Sequence, residues 1–206
     1  MYIPKKLFVT GTDTDIGKTI VSSILVKGLN AGYWKPVQAG INPQTDTEYV
    51  QQLTGLNNTY FYPESYKLNT PMSPHASAEI DGVIIDSKNI KVPSFTQSHL
   101  IIEGAGGLIV PINESETIID IIKMLDIPVL LVAKSGLGTL NHTLLSLMAL
   151  RSYGIPIFGI VMNGEFHTSN EETIRSYGKV ENIYQLPPLK NLNPAELLSA
   201  FNHIFS

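Results

Sequence analysis

The chain has 206 residues, 43% of them apolar and 16% charged, with a formal net charge of −4 and no cysteine. That composition suits one folded domain with a sizeable core and excludes long disorder, while the missing cysteine excludes disulfides, thiol nucleophiles and cysteine-ligated metals. There is no Lys/Arg-dense run for nucleic acid or an anionic membrane, the opening "MYIPKKLFVTG" is too short for a signal h-region, and no apolar run reaches the ~18 residues of a membrane span. The expectation is a cytoplasmic protein with neither partner.

In chain order, "KLFVTG" (6–11) reads as a first strand and Lys18–Leu29 as a helix. "GYWKPV" (32–37) reads as a shorter second strand. Residues 41–98 form an irregular excursion dense in Pro, Ser and Asn, with one short helix at "DTEYVQQLTG". "HLIIEG" (99–104) is a strand, Thr117–Leu125 a helix, and "PVLLVAK" (128–134) the next strand. A helix over Asn141–Tyr153 follows, with Asn141 as N-cap and Gly154 as stop. "IPIFGIVMN" (155–163) and "NIYQLP" (182–187) are the last strands, before a helix over 194–205. The long strands are unbroken apolar runs, as in a parallel sheet covered on both faces. Strand and helix alternate, which gives a single doubly wound α/β domain over residues 1–206 with a mostly parallel sheet and no internal repeat.

The turn between the first strand and helix carries the chemistry. "VTGTDTDIGKT" (9–19) ends in an intact Gly-Lys-Thr, but five residues rather than four separate Gly11 from Gly17, one more than the usual phosphate loop. Position outweighs spacing: the loop leaves a strand and opens a helix, so orphan N–H groups over Thr14, Asp15, Ile16, Gly17, Lys18, Thr19 and Ile20 face an anion. A cation at a helix N-terminus, as Lys18 would be, is unfavourable unless an anion binds there. Glu103 ends a buried strand at its carboxyl edge, where open α/β sheets bind ligands, and the glycines of the Gly104, Ala105, Gly106 run behind it permit close backbone approach. Lys35 lies near the end of the second strand with Pro36 fixing an extended backbone, and Lys134 has the same edge placement. Asp46 alone reads as a helix N-cap. "GLGTLNH" (136–142) is a Gly-rich turn into a helix, a second anion site. Asn163 alone reads as a strand-terminal turn residue.

The form "GTDTDIGKT" resembles the dethiobiotin synthetases, whose loop G-T-D-T-x-x-G-K-T has the same displaced glycine. "KPVQAG" (35–40), "SPHASA" (73–78), "EGAGG" (103–107), "GLGTLNH" and "VMN" (161–163) follow in the family's order over nearly the whole chain. The resemblance implies a P-loop NTPase-like homodimer that uses ATP and Mg²⁺ to close a cyclic urea from 7,8-diaminononanoate and CO₂ or bicarbonate. It implies Lys18 on the β and γ phosphates, Thr19, Asp46 and Glu103 on Mg²⁺, and Lys35 on a carbamate and the γ-phosphate. It further implies substrate contacts from Ala39, Lys134, Gly138, Thr139, Leu140 and Asn141, and adenine contacts from Asn163, Pro187, Pro188 and Leu189.

Two residues depart from the family pattern: Asp15 stands where glutamate is usual, and Ala39 where Ser or Thr is common. The connection between the first helix and "YWKPV" is also short. The rival reading is a nucleotide-switched positioning ATPase of the partition or septum-site type. Those carry a signature lysine that would fall at Asp13, whose negative charge speaks against them.

Overall fold

In the computed structural model, which describes residues 2–205, the elements run β1 (Lys6–Gly11), α1 (Lys18–Leu29), β2 (Gly32–Trp34), β3 (Val37–Ala39), α2 (Asp46–Thr54), β4 (Phe61–Tyr62), β5 (Tyr66–Leu68) and α3 (Pro74–Asp81). They continue as β6 (Leu100–Gly107), α4 (Ile118–Leu125), β7 (Val129–Lys134), α5 (Thr139–Ser152), β8 (Ile157–Asn163), α6 (Thr168–Gly178), β9 (Ile183–Leu186) and α7 (Pro194–Phe205). Seven strands form one sheet in the order β4-β2-β6-β1-β7-β8-β9, parallel at every pairing.

Successive residues of the central strands enter opposite layers. Leu7 and Val9 pack with Ile24 and Leu25 of α1, Val50 of α2 and Leu197 of α7. Phe8 lies on the other side among Ile118 and Ile122 of α4 and Leu147 of α5. With both faces covered, the strands read as continuous apolar runs rather than alternating ones. All the long β-α loops then leave the same edge, which gathers the polar motifs there.

"GYWKPV" is not one strand. Pro36 has no N–H to continue a ladder, and its carbonyl instead accepts from the Ser65 and Tyr66 N–H groups. The chain therefore leaves the main sheet after Trp34, and β3 pairs with β5 in a separate two-stranded parallel sheet. The helix after β7, α5, starts at Thr139 rather than after an Asn141 cap. Gly138, at φ 89°, turns the chain into it, and Thr139 is already buried with its hydroxyl 3.1 Å from that of Thr143.

Two helices carried no readable signal. In α3 the proline at the first helical position is a helix start, although the Pro- and Ser-rich stretch around it reads as loop. In α6 the residues buried are Ile174 and Gly178, too few to show a 3.6-residue period.

The start of α2 is held by a capping box. The Thr45 hydroxyl accepts from the Glu48 N–H at 3.2 Å, and Glu48 Oε2 accepts from the Thr45 N–H at 2.8 Å. Thr45, not Asp46, is the cap, which leaves the Asp46 carboxylate free to point elsewhere. The Thr45 N–H holds the Glu48 carboxyl below its ordinary 4.5. A depressed carboxyl stabilises the fold above its unfolded value and loses that contribution as pH falls through the folded value. The melting-temperature gap between wild type and Glu48→Ala should thus be widest above pH 4.5 and narrow in acid; a gap that widens in acid would refute this.

Candidate active site

The displaced glycine has a steric explanation. Ile16, 2% exposed, folds back over the end of β1, and a Cβ on Gly11 would lie 2.4 Å from Ile16 Cδ1. Gly11 is needed where the loop returns onto the strand. At the loop's other end Gly17 has φ 97°, and a Cβ there would meet Asn163 Nδ2 at 2.2 Å. That Asn163 amide donates to the Ile16 carbonyl at 2.9 Å, so the tip of β8 braces the loop from behind.

Lys18 opens α1, is 7% exposed, and donates from Nζ to the Asp13 carbonyl at 2.8 Å. Burial, with help from the nearby Lys35 charge, lowers its pKa. The next residue, Thr19, has its hydroxyl 2.8 Å from Asp46 Oδ1 and 3.0 Å from Glu103 Oε1, so its single proton serves one at a time. Lys35 Nζ lies 3.0 Å from Asp46 Oδ2, 3.1 Å from Glu103 Oε1 and 3.4 Å from the Gly104 carbonyl. Burial alone would lower the Lys35 pKa, but the Glu103 and Asp46 charges overcome it and raise the value. For Asp46, burial pulls upward and Lys35 downward; Lys35 wins, and the carboxyl is lowered. The Lys35 ammonium and the Asp46 and Glu103 carboxylates thus meet the Thr19 hydroxyl at the start of α1, where Lys18 also stands.

Each of these side chains is delivered by a different element. Glu103, wholly buried, comes from β6, whose Glu103 stands beside Val9 of β1. Lys35 is the last residue before the Pro36 break. Asp46 is the first residue of α2, and Gln38 Oε1 accepts its backbone N–H at 3.1 Å while Gln38 Nε2 donates to the Gly40 carbonyl at 2.8 Å.

A cavity of about 950 Å³ opens over this cluster. Thr14, Asp15, Gly17, Lys18, Thr19 and Ile20 line it from the loop and α1. Lys35, Ala39, Asp46, Glu103, Ala105 and Gly106 line it as well. Ile16 and Gly104 stand just behind: Ile16 in the core, Gly104 against Phe8. Pro187, Pro188 and Leu189 line a separate cavity of about 410 Å³ beside α7. Lys134 and Gly138, Thr139, Leu140 and Asn141 line neither of these two cavities; Lys134 is exposed at the end of β7, and the other four sit at the start of α5.

Sequence reasoning missed Gln38, Tyr33, Tyr49 and Met72. Tyr49 and Met72 line the large cavity, and the Tyr33 hydroxyl donates to Glu103 Oε2 at 3.0 Å. Gln38 and Tyr33 flank Lys35 in sequence, and a polar group inside a short apolar strand was the available signal.

Among the described residues no group of three or more His, Cys, Asp or Glu is assembled. Two carboxylates and a threonine hydroxyl are instead the modest protein donor set that suits Mg²⁺, which takes its remaining oxygens from phosphates and water. The donors therefore fit that ion.

A family model described as an AAA domain matches residues 5–196. The chain is 46% identical over 193 residues to a protein of Novosphingobium aromaticivorans named ATP-dependent dethiobiotin synthetase BioD, covering 94% of this chain and 93% of that one. Proteins of the same name from Brucella ovis and Brucella anthropi are 46% and 48% identical, over 97% and 98% of this chain and 94% of each relative. Among solved structures, a ParA family ATPase from Chlorobium tepidum TLS aligns with TM-score 0.57 at 12% identity, over 97% of this chain and all of that one. A chain of the MinC:MinD cell division protein complex from Aquifex aeolicus aligns with TM-score 0.52 at 11% identity, over 96% of this chain and 86% of that one. These distant likenesses show the fold alone, so the partition-type proteins share the scaffold while the close relatives carry another name. Loop, coverage and identity together place the chain in the ATP-dependent dethiobiotin synthetase family.

Proposed function

We propose that the chain makes dethiobiotin from 7,8-diaminononanoate, CO₂ and ATP, as a step of biotin biosynthesis. The observation that carries this reading is the Lys18, Lys35, Asp46, Glu103 and Thr19 cluster at the mouth of the phosphate loop. One amine of the diamine adds to CO₂ and loses a proton, giving a carbamate. A carbamate oxygen attacks the γ-phosphorus and ADP departs; the second amine then attacks the carbamoyl carbon and gives up a proton, the C–O bond to phosphate breaks with phosphate leaving, and the urea ring closes.

Such a sequence asks the protein for charge neutralisation and positioning more than for covalent help. Two carboxylates hold the Lys35 pKa up, which suits a charged counter-ion for carbamate and γ-phosphate. Lys18 has the opposite need: buried and lowered, its ammonium gains most from an arriving polyphosphate. Thr19, Asp46 and Glu103 would hold Mg²⁺, which when bound neutralises the triphosphate and polarises its γ-phosphoryl group. Asn163, at the loop's back, and the Pro187–Leu189 segment would meet the base.

Ala39 lines the large cavity without a hydroxyl to offer the diamine. The start of α5 would take the distant carboxylate. It lies away from the cluster, in keeping with a site completed by a second copy of the chain. Exposed Ile109, Leu145 and Met148 give that face the apolar character of a dimer contact. No helix among the described residues is long and apolar enough to cross a membrane, and we place the enzyme in the cytoplasm.

The test is phosphate release from ATP with Mg²⁺ and bicarbonate. Release should require the diamine and yield dethiobiotin in equal amount. Release indifferent to the diamine but stimulated by a protein or DNA partner would replace this reading with the positioning ATPase.

A further inference from the structure

The two oxygens of Glu103 have different neighbours. Oε1 lies toward the phosphate loop, 3.0 Å from the Thr19 hydroxyl and 3.1 Å from Lys35 Nζ. Oε2 points away from it and accepts the Tyr33 hydroxyl at 3.0 Å. Tyr33 is fully buried on β2, beside Ile101 of β6, with its ring tilted at 56° against Phe61 at a centroid distance of 6.3 Å. It is 0% exposed and does not line the 950 Å³ cavity, so its hydroxyl faces Glu103 and not the ligand space. A phenol carries one O–H donor, and at 3.0 Å the carboxylate oxygen is its acceptor.

A carboxylate's terminal torsion is soft and roughly two-fold. Glu103 alone could turn its plane away from Thr19 and Asp46. A rigid phenol bonded to the rear oxygen removes that freedom. A phenylalanine would fill nearly the same space, so packing does not account for the hydroxyl.

We propose that Tyr33 is a positioning residue for the proposed reaction: its hydroxyl fixes the plane of Glu103 so that Oε1 stands with Thr19 and Asp46 as a preformed oxygen set for nucleotide-bound Mg²⁺. This rests on the synthetase reading above. It goes beyond that reading by assigning a role to a residue outside the cavity and outside the phosphate-loop motif.

Partners that orient a metal ligand are commonly worth about 10–100-fold in metal affinity. Tyr33→Phe should therefore raise the Mg²⁺ concentration needed for tight binding of a fluorescent ATP analogue by about tenfold or more. Its affinity for the same analogue in EDTA should match wild type. A residue that merely stabilised the fold would weaken both together. A Mg²⁺ requirement within about twofold of wild type, or parallel loss with and without metal, would overturn the proposal.

A second measurement needs no substitution. With ¹³C-labelled tyrosine introduced at position 33 alone, the Cζ resonance of the nucleotide-bound protein should shift when Mg²⁺ is added, and an unmoved resonance would overturn the proposal equally. The two failures are separable. A wild type whose nucleotide affinity ignores Mg²⁺ removes the metal reading and this inference with it, whereas a Mg²⁺-dependent wild type matched by the variant removes Tyr33 alone.

Discussion

Lys35→Ala should lower turnover by about 10³-fold, the upper end of what removing one preorganised charge-stabilising donor costs. The same change should destabilise the metal-free protein by about 3–5 kcal/mol, because it strips the partner from buried carboxylates instead of removing a whole ion pair. Glu103 is wholly buried and Asp46 partly so, and both lie within 3.1 Å of the Lys35 ammonium. Without it, Thr19 and Tyr33 would be the hydroxyl donors left to Glu103. Added Mg²⁺ should restore much of the lost stability, since another cation then meets the same oxygens. Thermal melts in EDTA and in Mg²⁺, read beside turnover, make the check. Turnover within about tenfold of wild type would take Lys35 out of the mechanism.

Lys18→Ala should also lower turnover by about 10³-fold, but with a different signature. Its Nζ donates to the Asp13 carbonyl, and its charge sits at a helix N-terminus where the dipole opposes it. Losing that charge should leave stability unchanged or slightly raised. The affected quantity is nucleotide binding: a charge-assisted contact to phosphate is worth about 1.5–3 kcal/mol, or about 10- to 100-fold in affinity for ATP. Equilibrium binding and melting temperature together separate the two lysines. A Lys18→Ala variant that binds ATP as tightly as wild type would show that the ammonium does not reach the phosphates.

The alternation of apolar runs with helical segments was enough to read the sheet. A parallel strand buried on both faces leaves an unmistakable block of branched apolar residues, and Lys18–Leu29 was readable to its ends because a polar loop and a left-handed Asn30 bound it. What escaped the sequence was whatever depends on a partner far along the chain. Nothing local in "GYWKPV" tells that Val37–Ala39 will pair with Tyr66–Leu68, because Pro36 reads equally as a strand end or an edge position. The amphipathic pattern fails for α6 since so little of it is buried.

At the site, Lys18, Thr19, Lys35 and Glu103 were legible from strand ends and the loop. Asp46 came only through the family pattern, as its local signal was that of a cap. Tyr33 and Gln38 stayed hidden because their importance lies in which oxygen or N–H they hold, which no single-chain spacing encodes.

The contact between the glycine of Gly-Lys-Thr and the tip of β8 has an evolutionary consequence. Ile16 and Asn163 are 147 positions apart in sequence, yet an extra carbon at position 17 would fall onto the Asn163 amide. Position 17 is closed twice over: its φ of 97° strains any L side chain whatever the space, and a Cβ there would also meet the Asn163 amide, while shrinking 163 removes the tether that braces the loop. A smaller residue at 163 therefore does not free position 17, and descendants of this chain should keep a glycine there whatever stands at 163.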